Sequence, residues 1–288
     1  MLSGMSESGE QPSLEVLTRP VSRRGALALL GGLGLAVAGC SSGSDANNAT
    51  ATTKGASSST TSTTGATTTT TGSTAAVTSC AVIPDETAGP YPGDGSNGPD
   101  VLNETGVVRK DIRSSFDGAS GVAEGVPYTI QFTVVDTTNG CKPLSGAAVY
   151  VWHCDRDGQY SMYTASDANY LRGVQEVDAN GVAGFTSIFP ACYSGRWPHL
   201  HFEVYPSVDA ATSGGTKLAT SQIALPQDVC ESVYATTGYE QSVQNLSRVS
   251  LNTDMVFSDG VSLQTPSMTG NTSSGYVSSL VVGVSRAV

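Results

Sequence analysis

The chain has 288 residues, 25 acidic against 14 basic, and a formal net charge of −11 at pH 7. No basic run exists that could neutralise phosphates, so the balance argues against a nucleic-acid partner. Three histidines are too few for an exported copper or zinc redox site, and two tryptophans make a poor sugar-stacking platform.

Residues 21–40 read VSRRGALALLGGLGLAVAGC: a twin arginine (Arg23, Arg24), a short apolar stretch, then Val37-Ala38-Gly39-Cys40. This is the layout of a bacterial export signal, too short and too Gly-rich for a stable membrane span. The paired arginines indicate the twin-arginine export route. The last four residues look like a lipobox, with Cys40 acylated as the new N-terminus, and an ordinary signal peptide cut nearby is the alternative. The expectation for 1–40 is therefore a lipoprotein signal peptide. The mature protein would sit on the outer face of the cytoplasmic membrane, held only by a lipid at Cys40, or be secreted.

Residues 41–79 follow, and 17 of the 25 positions from 51 to 75 are Ser or Thr. Such a stretch cannot bury enough apolar surface to order itself and reads as a tether. Its reach would be roughly 30–35 Å. Residues 80–288 remain, enough for one domain with a sizeable core. They carry Cys80, Cys141, Cys154, Cys192 and Cys230. In an oxidising compartment these should pair, at most two bridges with one thiol left over, and the pairing is open. No CxxC or Cys/His finger spacing suggests a zinc–thiolate site.

Along the domain, YTIQFTVVD (128–136) alternates Tyr128, Ile130, Phe132 and Val134 against Thr129, Gln131 and Thr133. AAVYVWHCD (147–155), VAGFTSIFP (182–190), HLHFEVYP (199–206) and KLATSQIAL (217–225) behave likewise. Short alternating runs separated by Gly, Pro, Asn and Asp clusters predict an all-β fold, a β-sandwich with few short helices. PQDVCESVYA (226–235) predicts one such helix, and GYVSSLVVGV a last strand. His153 is read as a structural histidine rather than a pocket residue, and Asp155 and Asp157 as a solvated turn rather than a calcium loop.

The chemistry concentrates in CYSGRWPHLHF (192–202). Period-two geometry puts His199, His201 and Glu203 on one face of a strand, and Leu200, Phe202 and Val204 on the other. Two imidazoles facing one space could hold a metal ion or simply decorate a surface. Tyr193 lies six residues before His199, with Gly195 and Pro198 permitting a sharp loop between them. Tyr160 follows the Asp157-Gly158 turn. A phenol ionises near pH 10 in water, so it binds well only to a strongly Lewis-acidic cation. Hard anionic oxygen plus imidazole suits non-haem Fe(III) better than zinc or copper(I).

These segments, with ETAGPYPG (86–93) upstream, resemble the intradiol ring-cleavage dioxygenases, the catechol and protocatechuate type. The resemblance spans roughly residues 82–226. It implies an intradiol-type β-sandwich core and an Fe(III) held by Tyr160 and His201 as equatorial ligands and Tyr193 and His199 as axial ones. It further implies Arg196 as a cation beside the substrate, Gln222 as the family's glutamine on the following strand, Tyr193 as a built-in base, and Tyr91 as a pocket wall. The implied reaction opens catechol-type aromatic diols with O2 to cis,cis-muconate-type diacids. The competing reading is a non-catalytic cell-surface β-sandwich that binds aromatic or polysaccharide material. Two departures stand out: the long helical N-terminal region of cytoplasmic catechol dioxygenases is missing, and export signals and several cysteines are present. Cys192, next to a candidate ligand, is expected in a disulfide that would pin Tyr193.

Overall fold

The computed structural model describes residues 80–286. The leader, Cys40 and the tether lie outside them. Among the described residues, nine strands form two sheets, flanked by three short helices. The first sheet is built on β1 (Pro127–Asp136). One edge of β1 pairs antiparallel with β5 (Val182–Ile188) and, at its far end, with β2 (Lys142–Pro143). Its other edge pairs in parallel with β9 (Gly275–Val284), which pairs antiparallel with β8 (Ser267–Asn271). The second sheet has the order β4 (Arg172–Glu176), β3 (Ala148–Trp152), β6 (His199–Tyr205), β7 (Ala219–Ala224) and is antiparallel throughout.

The alternation expected of β1 holds, and its consequence is the core. Tyr128, Ile130, Phe132 and Val134 point inward, where they meet Val149 and Val151 of β3, Leu200, Phe202 and Val204 of β6, and Leu280 and Val282 of β9. Phe132 and Phe202 meet across the two layers, their rings tilted at 49° with centroids 5.0 Å apart. Each such side chain contributes about 1.5–3 kcal/mol relative to leaving it in water. The sandwich is therefore held by the apolar half of the same strand that carries both candidate histidine ligands.

The outer face of the second sheet is also covered. Ala148, Tyr150 and Trp152 of β3 pack there with Val101, Leu102, Val107 and Tyr160. This second apolar layer is why β3 and β6 are buried at every position, and why the histidine face opens on protein rather than on water. The helices are α1 (Val208–Thr212), α2 (Gln227–Tyr234, where one was predicted) and α3 (Glu240–Leu246). Among the described residues no helix is long and apolar enough to cross a membrane.

The cysteine expectation needs a correction. One disulfide joins Cys80 to Cys141, but Cys192 is a free, buried thiol, as are Cys154 and Cys230. Cys192 and Cys230 lie in the apolar core, where burial pushes the Cys192 thiol up to about 12, helped by the nearby Asp254 carboxylate. The backbone at Cys192 is fixed by α3 instead. Ser242 Oγ accepts its N–H at 3.0 Å, and Asn245 Nδ2 donates to its carbonyl at 2.8 Å.

Candidate metal centre

β6 presents His199 and His201 outward, two residues apart, and both are 2 % exposed. Their Nε2 atoms lie 3.2 Å from each other, and Tyr193 Oη lies 3.1 Å from His199 Nε2. Two ligands at about 2.0–2.2 Å from one ion, set at right angles, stand about 3 Å apart. The three atoms are thus spaced like neighbouring corners of one coordination shell. Tyr160 closes the group: its ring centroid is 5.9 Å from Tyr193 and 6.4 Å from His201. Its hydroxyl is buried without a hydrogen-bond partner, an arrangement that costs free energy unless something else satisfies it. All four predicted ligands are brought together.

Local structure explains each placement. Asp155 Oδ1 accepts the N–H groups of Asp157 and Gln159, closing the turn that delivers Tyr160. Gly158 in that turn has φ +79°, and a Cβ there would stand 3.1 Å from Tyr193 Cβ. A side chain at Gly158 would therefore push the two phenols apart. His199 Nδ1 faces the Trp197 carbonyl at 2.5 Å. A carbonyl only accepts, so Nδ1 carries the proton and Nε2 keeps its lone pair for the centre. His201 is wedged between its cross-strand neighbours, Trp152 on β3 and Gln222 on β7. The Trp152 ring stacks on it at 4.9 Å and 8°. Gly89 closes from the third side, where a Cβ would meet His201 Cε1 at 3.2 Å.

Burial, compounded by neighbouring positive charge, pulls His199 down to about 3 and His201 well below the ordinary range. Both imidazoles are neutral, the form that binds a cation. Burial likewise raises Tyr193 to about 12 and Tyr160 well above a free phenol. Without a cation the phenols stay protonated, and one that bound them would have to displace those protons. Among the described residues no three His, Cys, Asp or Glu side chains cluster for a metal. The donor set here is two imidazoles and two phenols, and its chemistry fits a hard trivalent ion.

Arg196 sits at the edge, its side chain 11 % exposed. Its Nη1 is 3.4 Å from His199 Nε2, and its Nη2 donates to Gln222 Oε1 at 2.7 Å. Gln222 in turn donates to the Thr87 carbonyl at 2.8 Å, tying the 86–93 segment to β7. Tyr91 lies against Tyr160 at 4.8 Å and against Tyr163 at 5.1 Å. Arg172, 1 % exposed, ties that segment to the residue after Tyr160 by donating to the carbonyls of Tyr91 and Pro92 and to that of Ser161. Glu203, on the same face of β6, is not part of the centre: it pairs with Lys217 and accepts from Tyr205. His153 is structural, bonded to Ser187 and to the Cys154 carbonyl. Sequence reasoning missed Trp152, Arg172 and Asp254. Asp254 is completely buried and accepts from Arg196 Nε at 2.9 Å. Burial works against its charge, but hydrogen bonds from Arg196, Trp197 and Val256 outweigh that and hold the carboxyl below its ordinary value. No motif flags it.

This fold is that of the intradiol ring-cleavage dioxygenases, and the sequence matches a dioxygenase family model over residues 97–201, a span holding Tyr160, Tyr193, Arg196, His199 and His201. In particular, the chain is 33% identical over 103 residues to a hydroxyquinol 1,2-dioxygenase of Corynebacterium glutamicum, a match covering 30% of this chain and 34% of that protein. It spans about a third of the length of that curated relative. An intradiol ring-cleavage dioxygenase structure from Tetranychus urticae superposes with a TM-score of 0.57 at 22% identity, covering 73% of this chain and 96% of the other. A second structure described as a dioxygenase gives 0.58, also at 22% identity, covering 73% and 97%.

Proposed function

We propose that the protein is a non-haem Fe(III) intradiol dioxygenase that opens catechol-type diols with O2 to cis,cis-muconate-type diacids. The observation that carries this reading is the convergence of Tyr193 Oη, His199 Nε2 and His201 Nε2 within 3.1–3.2 Å steps, beside the unpartnered Tyr160 hydroxyl. Tyr160, Tyr193, His199 and His201 would hold the iron, with two phenolates balancing its charge. When bound, Fe(III) supplies a Lewis-acidic centre that holds a catechol as its dianion and makes the ring reactive toward O2.

The chain's own groups do the rest. Tyr193 is the least enclosed of the four and carries a strongly basic phenolate once ionised. It would accept a proton from a catechol hydroxyl at Oη, acting as base. Arg196, fixed in charge, would stabilise negative charge developing on the ring oxygens, and Gln222 holds its Nη2. Tyr91 and Tyr163 form the aromatic wall next to Tyr160. Trp152 keeps the His201 ring in plane, and the covered outer face of β3 and β6 excludes water. Twin-arginine export and lipid attachment at Cys40 belong to the same proposal, and labelling the expressed chain with a radioactive fatty acid, against a Cys40→Ser control, tests them.

The test of function is oxygen uptake across a panel of catechols by protein expressed with iron, with products identified by mass spectrometry. The protein should be reddish from tyrosinate-to-iron charge transfer, and Tyr193→Phe should shift that colour and suppress uptake. Colourless, iron-free protein, or no oxygen consumed with any catechol, would end the enzyme reading in favour of a binding module.

A further inference from the structure

Beyond the predicted site residues, and resting on the reading above, we propose that Asp254 is the positioning residue that aims Arg196 at the centre, so that a segment outside the family match completes the site. The family model ends at residue 201, and Asp254 lies 58 residues beyond Arg196 in sequence. It follows the short 3-10 turn Leu251–Thr253 and is wholly buried.

Its two oxygens do separate jobs. Oδ1 accepts the N–H groups of Val256 at 2.9 Å and Phe257 at 3.2 Å, closing its own turn. Oδ2 accepts Arg196 Nε at 2.9 Å and the Trp197 N–H at 2.7 Å. The second pair of bonds controls both sides of the centre at once. With Nε held by Asp254 and Nη2 by Gln222, the planar guanidinium has one orientation left, and that orientation sets Nη1 3.4 Å from His199 Nε2. Trp197, held through its N–H, supplies from its next peptide the carbonyl that accepts from His199 Nδ1. Phe257, brought in by the same turn, closes on Arg196 with its ring centroid 5.8 Å from Cζ. A turn cap alone needs only Oδ1, so the use of Oδ2 is what marks the positioning role.

Asp254→Asn separates the two jobs. If the amide oxygen stays on the turn, its NH2 faces Arg196 Nε and the Trp197 N–H, donor against donor, and Arg196 must leave. In the full chain loaded with iron, kcat per bound iron should fall roughly tenfold to a hundredfold. Iron content should fall by a smaller factor, through the loosened His199, and the melting temperature should fall with the lost buried ion pair. In an Arg196→Gln background the same substitution should add less than about a threefold further loss, because the group it positions is gone. A readout independent of activity is the side-chain Nε–H signal of Arg196 by NMR in metal-free protein. It should be shifted downfield and exchange slowly in the parent, and both properties should vanish in Asp254→Asn. Persistence of that protected signal, an unchanged kcat per iron, or losses that multiply across the double variant would overturn the proposal. If the parent turns over no catechol, the functional reading fails, while the NMR comparison still decides whether Asp254 positions Arg196.

Discussion

His153 and the two centre histidines are all buried, yet their surroundings are unlike. His199 and His201 aim Nε2 at shared space, whereas both nitrogens of His153 are used up. Its Nδ1 meets the Cys154 carbonyl at 2.7 Å and must donate, so Nε2 accepts from Ser187 Oγ, also at 2.7 Å. Burial lowers its pKa from 6.5 to about 4. The folded chain therefore refuses a proton that the unfolded chain accepts. Stability from this residue is complete above pH 6.5 and declines as pH falls from there through 4, the loss reaching about 3 kcal/mol. His199, lowered to about 3, adds to the same acid weakening in metal-free protein. Urea titrations at pH 7 and pH 4.5 should therefore show a smaller drop for His153→Gln than for the parent, even if the variant starts less stable. Equal drops would mean that His153 is not held neutral. One residue of this kind was legible in sequence because it broke the apolar face of a strand. Its partner Ser187, 34 positions away, was not.

At the scale of elements, α3 does what a Cys192 disulfide was expected to do. It holds the backbone at Cys192 through Ser242 and Asn245, both buried, and so fixes the root of Tyr193. Asn245→Ala would leave the Cys192 carbonyl without a donor, costing about 1–3 kcal/mol. The same change should weaken iron retention in a chelator competition, because the Tyr193 loop loses its anchor. Cys192→Ser, by contrast, should leave the loop in place, and a loss of iron there without loss in Asn245→Ala would refute the assignment to α3. The elements that sequence pattern found and missed divide on physical grounds. β1, β3, β5, β6, β7 and β9 lie in the alternating runs and were legible. β4 was not, because Arg172 is buried on it, and a buried arginine satisfied by carbonyls reads as a surface residue. β8, SMTGN, is an exposed edge strand whose order comes from pairing with β9 rather than from its own composition. The four-donor centre was legible because three of its members sit in one loop and strand. Asp254 and Trp152 reach it only through tertiary contact.

Among the described residues one disulfide spans the fold, and the net charge acts on the whole chain. Cys80–Cys141 closes a loop of 61 residues, whose chain-entropy contribution is about 4 kcal/mol. Reduction should lower the urea midpoint accordingly while leaving the centre, which touches neither cysteine, able to take up iron. The charge bears on substrate choice. The protein carries −11 overall, and Arg196, whose guanidinium reaches the centre, is already matched by Asp254. Glu86 stands in the same field. Burial raises its pKa, Gln264 opposes that by hydrogen bonding, and Asp259 pushes it up again. A catechol bearing a ring carboxylate must approach as an anion against this field, toward a cation that is already compensated. An unsubstituted catechol approaches as a neutral molecule and feels little of it. The sign of the salt effect follows. As ionic strength rises from 0.01 to 0.15 M the Debye length shrinks from about 30 to about 8 Å, which screens the repulsion. The specificity constant for a dihydroxybenzoate should therefore rise with salt, while that for catechol stays flat and that for a cationic catecholamine falls. A carboxylated substrate favoured at low salt would instead require a positive patch at the mouth, and would place the control of specificity outside the charges that surround Arg196.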